Sequence, residues 1–322
     1  MDRKKFILLS TSFLLAASTL TACSGINKKV TFNDYWKADS ITKQENLTEE
    51  LEYAVEFEKS NGLSNYEANY LNGTYKTKLF TETYENRIIY VYETKLDIDV
   101  TYQYNGETSD PLHDSVTSVV RFEQSSDSLR PIKAEKTVVS HSPANSDVSS
   151  LEECYYLYEY TSTIDYVAKT SVIVHKAKEG EEERKIESDV SWNSDYTPLD
   201  NDQLLFAARG LTQSRNSSVT FSLYSPFVKK AQKVKMTFAA EEGSDFTFVQ
   251  NGTELKTAIQ YYPLSIVLNE ANPGQTQTAW VAKTTDPSNN KYRNVVLRHS
   301  VPLAYGIGTL TYQLTSATFS NI

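Results

Sequence analysis

The sequence predicts a mainly β protein, built as a large, strongly curved antiparallel sheet, a half-barrel or open barrel, with one or two helices packing on it or plugging it. Three observations carry that expectation. From Ile88 to Tyr104 the even positions are Ile88, Tyr90, Tyr92, Thr94, Leu96, Ile98, Val100, Tyr102 and Tyr104, whereas from Glu93 the odd ones are Glu93, Lys95, Asp97, Asp99, Thr101 and Gln103. Side chains alternate faces along a strand, so this stretch has one oily and one wet face. It spans about 55 Å at about 3.3 Å per residue, and few sheets stay flat over that distance, so it must bend hard or carry a bulge. Finally, Tyr is abundant at 22 residues while Gly and Pro number only 11 and 9, which favours long strands over many tight turns.

In chain order, the first element is a leader. Arg3, Lys4 and Lys5 precede the apolar runs Phe6–Leu9 and Phe13–Ala17, too short to span a bilayer with folded flanks and built like a secretory signal. The run ends in Leu20-Thr21-Ala22-Cys23, which resembles the lipobox of bacterial lipoproteins. That resemblance implies cleavage after residue 22 and a diacylglyceryl group on Cys23, whose thiol supplies the nucleophile that alkylation needs. Two acyl chains hold a protein on a membrane where one would let go. Residues 23–40 then read as a tether, and 41–322 as one β-rich domain with no linker composition to mark a seam.

The domain opens on an expected helix at about 44–60. Asn46-Leu47-Thr48-Glu49 has the form of a capping box, Leu47, Leu51, Ala54 and Val55 share a helical face, and Asn61-Gly62 supplies a stop. Strands are expected at 75–84, 88–104, 116–122, 132–139, 155–164, 167–174, 186–192, 219–224, 234–238, 246–249, 255–261, 264–268, 280–282, 295–301 and 309–314. Asn105-Gly106 and Asn251-Gly252 are hairpin dipeptides. A second helix is expected from Asp200 and Gln203, a cap-like pair, to Gly210; with Leu204, Leu205, Phe206, Ala207 and Ala208 it is apolar nearly all round and must be covered on most sides.

Charge and motifs narrow the function. The chain carries a net charge of −9, and removing the leader takes away three basic residues and one acidic one, leaving −11. Without clustered Lys and Arg, nucleic acid is not an expected partner. Cys154 is the one thiol besides Cys23, and beside Tyr155-Tyr156-Leu157 it reads as a small buried hydrophobe. The histidines His113, His141, His175 and His299 are scattered, so no metal site is expected, and no nucleophile elbow, phosphate loop or dinucleotide fingerprint is present. Asp97 and Asp99 belong to the wet face of their strand, and Asp200 and Asp202 read as helix-start carboxylates. No cofactor or catalytic residue is expected.

The pieces S-L-R-P-I-K-A-E-K (128–136), D-N-D-Q-L-L-F-A-A-R-G-L (200–211), W-V-A-K with Arg293 to Arg298, and G-T-L-T-Y-Q-L (308–314) resemble the bacterial domain-of-unknown-function family 3108 over roughly residues 73–318. The resemblance implies a curved antiparallel sheet similar to the lipoprotein carriers of the LolA and LppX kind, whose concave face holds acyl chains, and it implies no catalytic residue.

The expected function is therefore a membrane-anchored envelope lipoprotein that binds or carries an apolar ligand, with Tyr90, Tyr92, Leu96, Ile98, Tyr102, Leu205 and Phe206 lining the concave face. The alternative is a structural or partner-binding lipoprotein with a filled core, docking through tyrosine faces such as Tyr156, Tyr158 and Tyr160.

Overall fold

The computed structural model describes residues 30–33, 36, 48–60, 65–144, 146–176, 182–268, 275–283 and 291–319. The expected leader and Cys23 lie outside these residues. The strands are β1 (Thr48–Lys59), β2 (Glu67–Tyr84), β3 (Arg87–Tyr104), β4 (Glu107–Thr108), β5 (Leu112–Ser125), β6 (Ser128–Pro143), β7 (Tyr155–Asp165), β8 (Thr170–His175) and β9 (Arg184–Asp189). They continue as β10 (Thr197–Leu199), β11 (Ser218–Ser225), β12 (Lys230–Phe238), β13 (Glu242–Gln250), β14 (Thr253–Val267), β15 (Gln277–Ala282), β16 (Val296–Pro302) and β17 (Gly308–Phe319). A single α-helix among the described residues, α1 (Leu204–Gly210), follows a 3-10 turn at Asn201–Gln203.

All these strands belong to one sheet. Antiparallel ladders run from β9 through β8, β7, β6, β5, β3, β2, β1, β17, β16 and β15 to β14, which pairs with β13 along its first half and with β12 along its second. β12 pairs with β11, and β10 lies parallel to β11. The two ends of the sheet meet through side chains: Ser188 on β9 shares a hydrogen bond of 2.7 Å with the Tyr224 hydroxyl on β11, and the Asn193 amide donates to Ser222 Oγ at 2.9 Å. The result is a barrel with a seam between β9 and β11.

β3 is one unbroken strand, as its alternation predicts, and the bulge in this ladder lies in its neighbour. β2 carries a bulge between Leu71 and Thr74, with Asn72 at a φ of 52°. Gly73 is required there, because a Cβ at that position would lie 2.6 Å from Val55 Cβ across the ladder. Both hairpin dipeptides turn with positive φ at each residue, at 49° and 85° for Asn105-Gly106 and 48° and 78° for Asn251-Gly252. The expected strands at 255–261 and 264–268 are one strand, β14. Pro263, which lacks an N–H, falls where β14 changes partner from β13 to β12.

The expected helix at about 44–60 is corrected: residues 48–59 are β1, between β2 and β17. Glu49, Leu51, Tyr53 and Val55 are buried and Glu50, Glu52 and Glu56 exposed, a period of two rather than 3.6. Glu49 sits on the inward face, and that buried charge hid the alternation. The tether is corrected as well, because Val30, Phe32 and Trp36 are buried in the barrel. Phe32 forms a bridge with Leu211, and the Asn33 amide donates to the Gly210 carbonyl at 2.7 Å.

The interior is packed. One apolar cluster gathers Phe32, Trp36, Tyr90, Tyr92, Phe122, Phe206 and strands β11, β12, β14 and β15; a second gathers Leu51, Tyr53, Tyr70, Leu96, Ile98, Tyr102 and β17. α1 is the expected plug, with Leu204, Phe206, Ala207 and Ala208 buried. A bidentate ion pair holds it: Arg209 donates to Glu49 at 2.5 and 2.7 Å and to the Arg293 carbonyl at 2.9 Å, with both charged side chains almost wholly buried.

Candidate functional site: a chamber at the barrel seam

The residues expected to line a ligand cavity are instead core. Tyr90, 2% exposed, meets Trp36 edge-on at 5.5 Å and stacks on Phe122 at 5.5 Å. Phe206 lies 5.0 Å from Trp36 and 5.5 Å from Tyr92, whose hydroxyl pKa burial pushes up to about 12. Leu96, Ile98 and Tyr102 belong to the other cluster, where Tyr102 stacks on Tyr155 at 5.1 Å and donates to the His141 carbonyl. Leu205 is half-buried and lines a small cavity described below. The oily face of β3 is therefore real, but its two halves are filled by different neighbours and do not share one hollow.

The four histidines are individually satisfied. His141 contacts Asp114 at 2.8 Å, His113 contacts Asp99 at 3.1 Å, and His175 packs on Tyr160 and Phe227. His299 shares a hydrogen bond with Gln277 at 3.0 Å, and burial pulls its pKa down to about 3, so it is neutral. Asp97 and Asp99 lie on the outer face beside Lys95, Asn72 and His113. Cys154 is buried, as expected. Among the described residues no group of three or more His, Cys, Asp or Glu side chains could hold a metal ion. The tyrosine series of β7 is not uniform: Tyr156 is exposed, Tyr158 half-buried and Tyr160 buried.

Where the seam closes, space remains. A chamber of about 80 Å3 lies between β6 and β7 on one side and β11 on the other. Its walls include Ala134, Ile164, Leu223, Pro226, Phe227 and Leu268. Phe227, 37% exposed, stands at the mouth against Tyr160, edge to face at 5.2 Å. Lys136, Asp200 and Asp202 supply the charges of the lining.

Local structure explains that floor. Asp200 caps the 3-10 turn in a reciprocal capping box: its carboxylate accepts from the Asp202 amide at 2.8 Å, and the Gln203 side chain accepts from the Asp200 amide at 3.0 Å. The other Asp200 oxygen accepts from the Tyr166 hydroxyl, and Tyr166 stacks on Trp192 at 5.1 Å. Lys136 donates to both oxygens of Asp202 at 2.9 and 3.1 Å. Burial, with the Asp202 charge adding to it, pushes the Asp200 pKa up to about 6. The capping box was legible in the sequence, and Tyr160 was read there only as part of a docking face; Lys136 and Tyr166 were not legible, because they lie 66 and 34 positions from their Asp partners, nor was Phe227, which follows β11 on the other side of the chamber.

On the outside, β1, β2, β3 and β5 form an open trough of about 440 Å3. It is crossed by the Lys76–Glu52 and Lys78–Glu50 ion pairs at 2.6 and 3.2 Å, on the face expected to be wet.

No protein-family model matches the chain, and no curated protein matches it. Among solved structures it is similar to a beta-barrel-like protein of domain-of-unknown-function family DUF1849 from Brucella abortus, at 7% identity and a TM-score of 0.47, over 86% of this chain and 99% of that one.

Proposed function

We propose that this protein is a non-catalytic binding module of the bacterial envelope, anchored by lipid on Cys23, whose ligand is a small molecule held at the barrel seam rather than an acyl chain along the β3 face. The observation that carries the reading is the seam chamber, with apolar walls, a charged floor and an aromatic residue at its mouth, the usual composition of a small-molecule site. An acyl-carrier role has less support, because Trp36, Phe122 and Phe206 occupy the space in front of Tyr90 and Tyr92. Drug-sized ligands fill pockets of about 300–1,000 Å3. The chamber, at about 80 Å3, suits a smaller body. The buried Val30 follows Cys23 by seven positions, which limits the anchor's reach to about 25 Å and keeps the barrel near its membrane.

Calorimetric titration of the detergent-extracted protein with 2-phenylethanol tests the reading. Saturable binding, weakened by about tenfold in Phe227→Ala, is the expected result. A fatty acid retained non-covalently in native mass spectra, with no binding of the alcohol, would restore the acyl carrier instead. A second reading, docking of an envelope protein, is favoured by the outer trough. In that case charge reversal at Lys76 and Lys78 abolishes a crosslink in whole cells while leaving 2-phenylethanol binding intact.

A further inference from the structure

We propose that the seam chamber selects a small amphipathic cation, an ammonium group on an apolar body, with Asp202 and Asp200 receiving the ammonium and Phe227 and Tyr160 gripping the body. The inference rests on the reading of the chamber as a small-molecule site and adds its chemical class.

The charge of the floor comes first. Two carboxylates face one ammonium among the lining side chains, so the floor is one negative charge in excess. Lys136 is already engaged by both oxygens of Asp202 and is only 14% exposed, so it has little left to offer an anionic ligand. Asp200, 3% exposed, receives hydrogen bonds from Tyr166 and the Asp202 amide and shares the Lys136 charge with Asp202. Burial lowers the pKa of His175, with the nearby Arg184 charge adding to it, so the imidazole beside Phe227 is neutral near pH 7 and brings no charge of its own to the mouth.

The space behind the floor is a second, independent observation. Asn201 and Asp202 also wall an inner cavity of about 40 Å3, with Tyr75, Thr94, Gln277, His299 and Tyr312. The Tyr312 hydroxyl, on a residue only 2% exposed, has no hydrogen-bond partner, which is costly for a buried polar group. An ammonium carries three N–H donors. Asp202 is thus the wall the two cavities share, with the unpaired Tyr312 hydroxyl in the lining of the inner one.

The walls supply the apolar half. Ile164, Leu223, Pro226 and Leu268 surround the body, and the face of an aromatic ring at the mouth attracts a passing cation. Neither catalysis nor a cofactor is needed: the chemistry is recognition by charge and fit.

Three isosteric probes separate this inference from the reading beneath it: phenethylamine, 2-phenylethanol and phenylacetate, titrated into the full-length protein at pH 7.5. Phenethylamine is expected to bind about ten- to hundredfold more tightly than the alcohol, the worth of a charge-assisted hydrogen bond, with phenylacetate weakest. Asp202→Asn removes the preference, bringing the amine down to the affinity of the alcohol. Lys136→Gln moves it the other way, strengthening the amine, which a folding defect would not do. If the alcohol or phenylacetate binds as tightly as the amine, the cation inference falls and the binding module stands. If none of the three binds, both fall.

Discussion

Replacing Arg209 with Met removes the cation that is hydrogen-bonded to Glu49 inside the barrel and leaves only the more distant charge of Arg293 near it. Arg209 donates three hydrogen bonds, two to the Glu49 carboxylate and one to the Arg293 carbonyl, and the Asn294 side chain in turn donates to the Arg209 carbonyl at 2.9 Å. The pair joins β1 to α1 across 160 residues of sequence. A charge-assisted hydrogen bond is worth about 1.5–3 kcal/mol net, but the desolvation of two buried ions offsets most of that gain. The decisive quantity is therefore the charge left behind. With Glu49 2% exposed and its partner gone, the expected loss is about 3–5 kcal/mol, a fall in melting temperature of roughly 10 °C for a domain of this size. Glu49→Leu alone strands Arg209 in the same way. The double variant Glu49→Leu/Arg209→Met removes both members of the pair and costs at least about 2 kcal/mol less than the two single losses combined, because replacing both partners by apolar groups is often near neutral. Urea unfolding of all four proteins measures the cycle. Single losses that add to within about 0.5 kcal/mol would refute the claim that the pair acts as one buried unit.

Three further outcomes follow from the same structure. Asp200 has a folded pKa raised to about 6, so the fold disfavours its ionised form; stability is full below the unfolded value near 3.8 and declines as pH rises through about 6. Asp200→Asn keeps the cap and removes the charge, so its melting temperature relative to the parent rises between pH 4.5 and pH 7.5, and a flat difference would show that Tyr166 and Lys136 already neutralise the carboxylate. Gly73→Ala drives a methyl against Val55 and Ile98 at the β2 bulge and costs about 1–3 kcal/mol by urea unfolding, where Gly106→Ala, whose Cβ meets nothing within 4 Å, is limited to its backbone penalty. Cys23→Ala is expected to move the protein from the membrane to the soluble fraction on cell fractionation without changing its melting temperature, and continued sedimentation with membranes would remove the anchor from the reading.

The sequence by itself determined the features whose causes are local. Alternation over 88–104 made β3 a strand with one oily face, because side-chain direction is a property of each residue's own backbone. Asn-Gly pairs set two hairpins, since their positive φ is intrinsic, and Asp200 with Gln203 wrote the capping box that starts α1. β1 was misread for the complementary reason. Its inward face carries Glu49, a residue that looks solvent-bound until Arg209 is brought to it from a distant helix, and only long-range pairing with β2 and β17 makes period two the winning pattern. The same holds for the site. Nothing along the chain shows that Trp36 and Phe206 fill the hollow before Tyr90, or that β11 closes against β6 and β7 with a gap between them, lined by Asp202 and Phe227 from opposite ends of a 25-residue interval. Periodicity says which side of a strand is oily; what covers that side is decided by the register and closure of the whole sheet, and that is where the chamber arises.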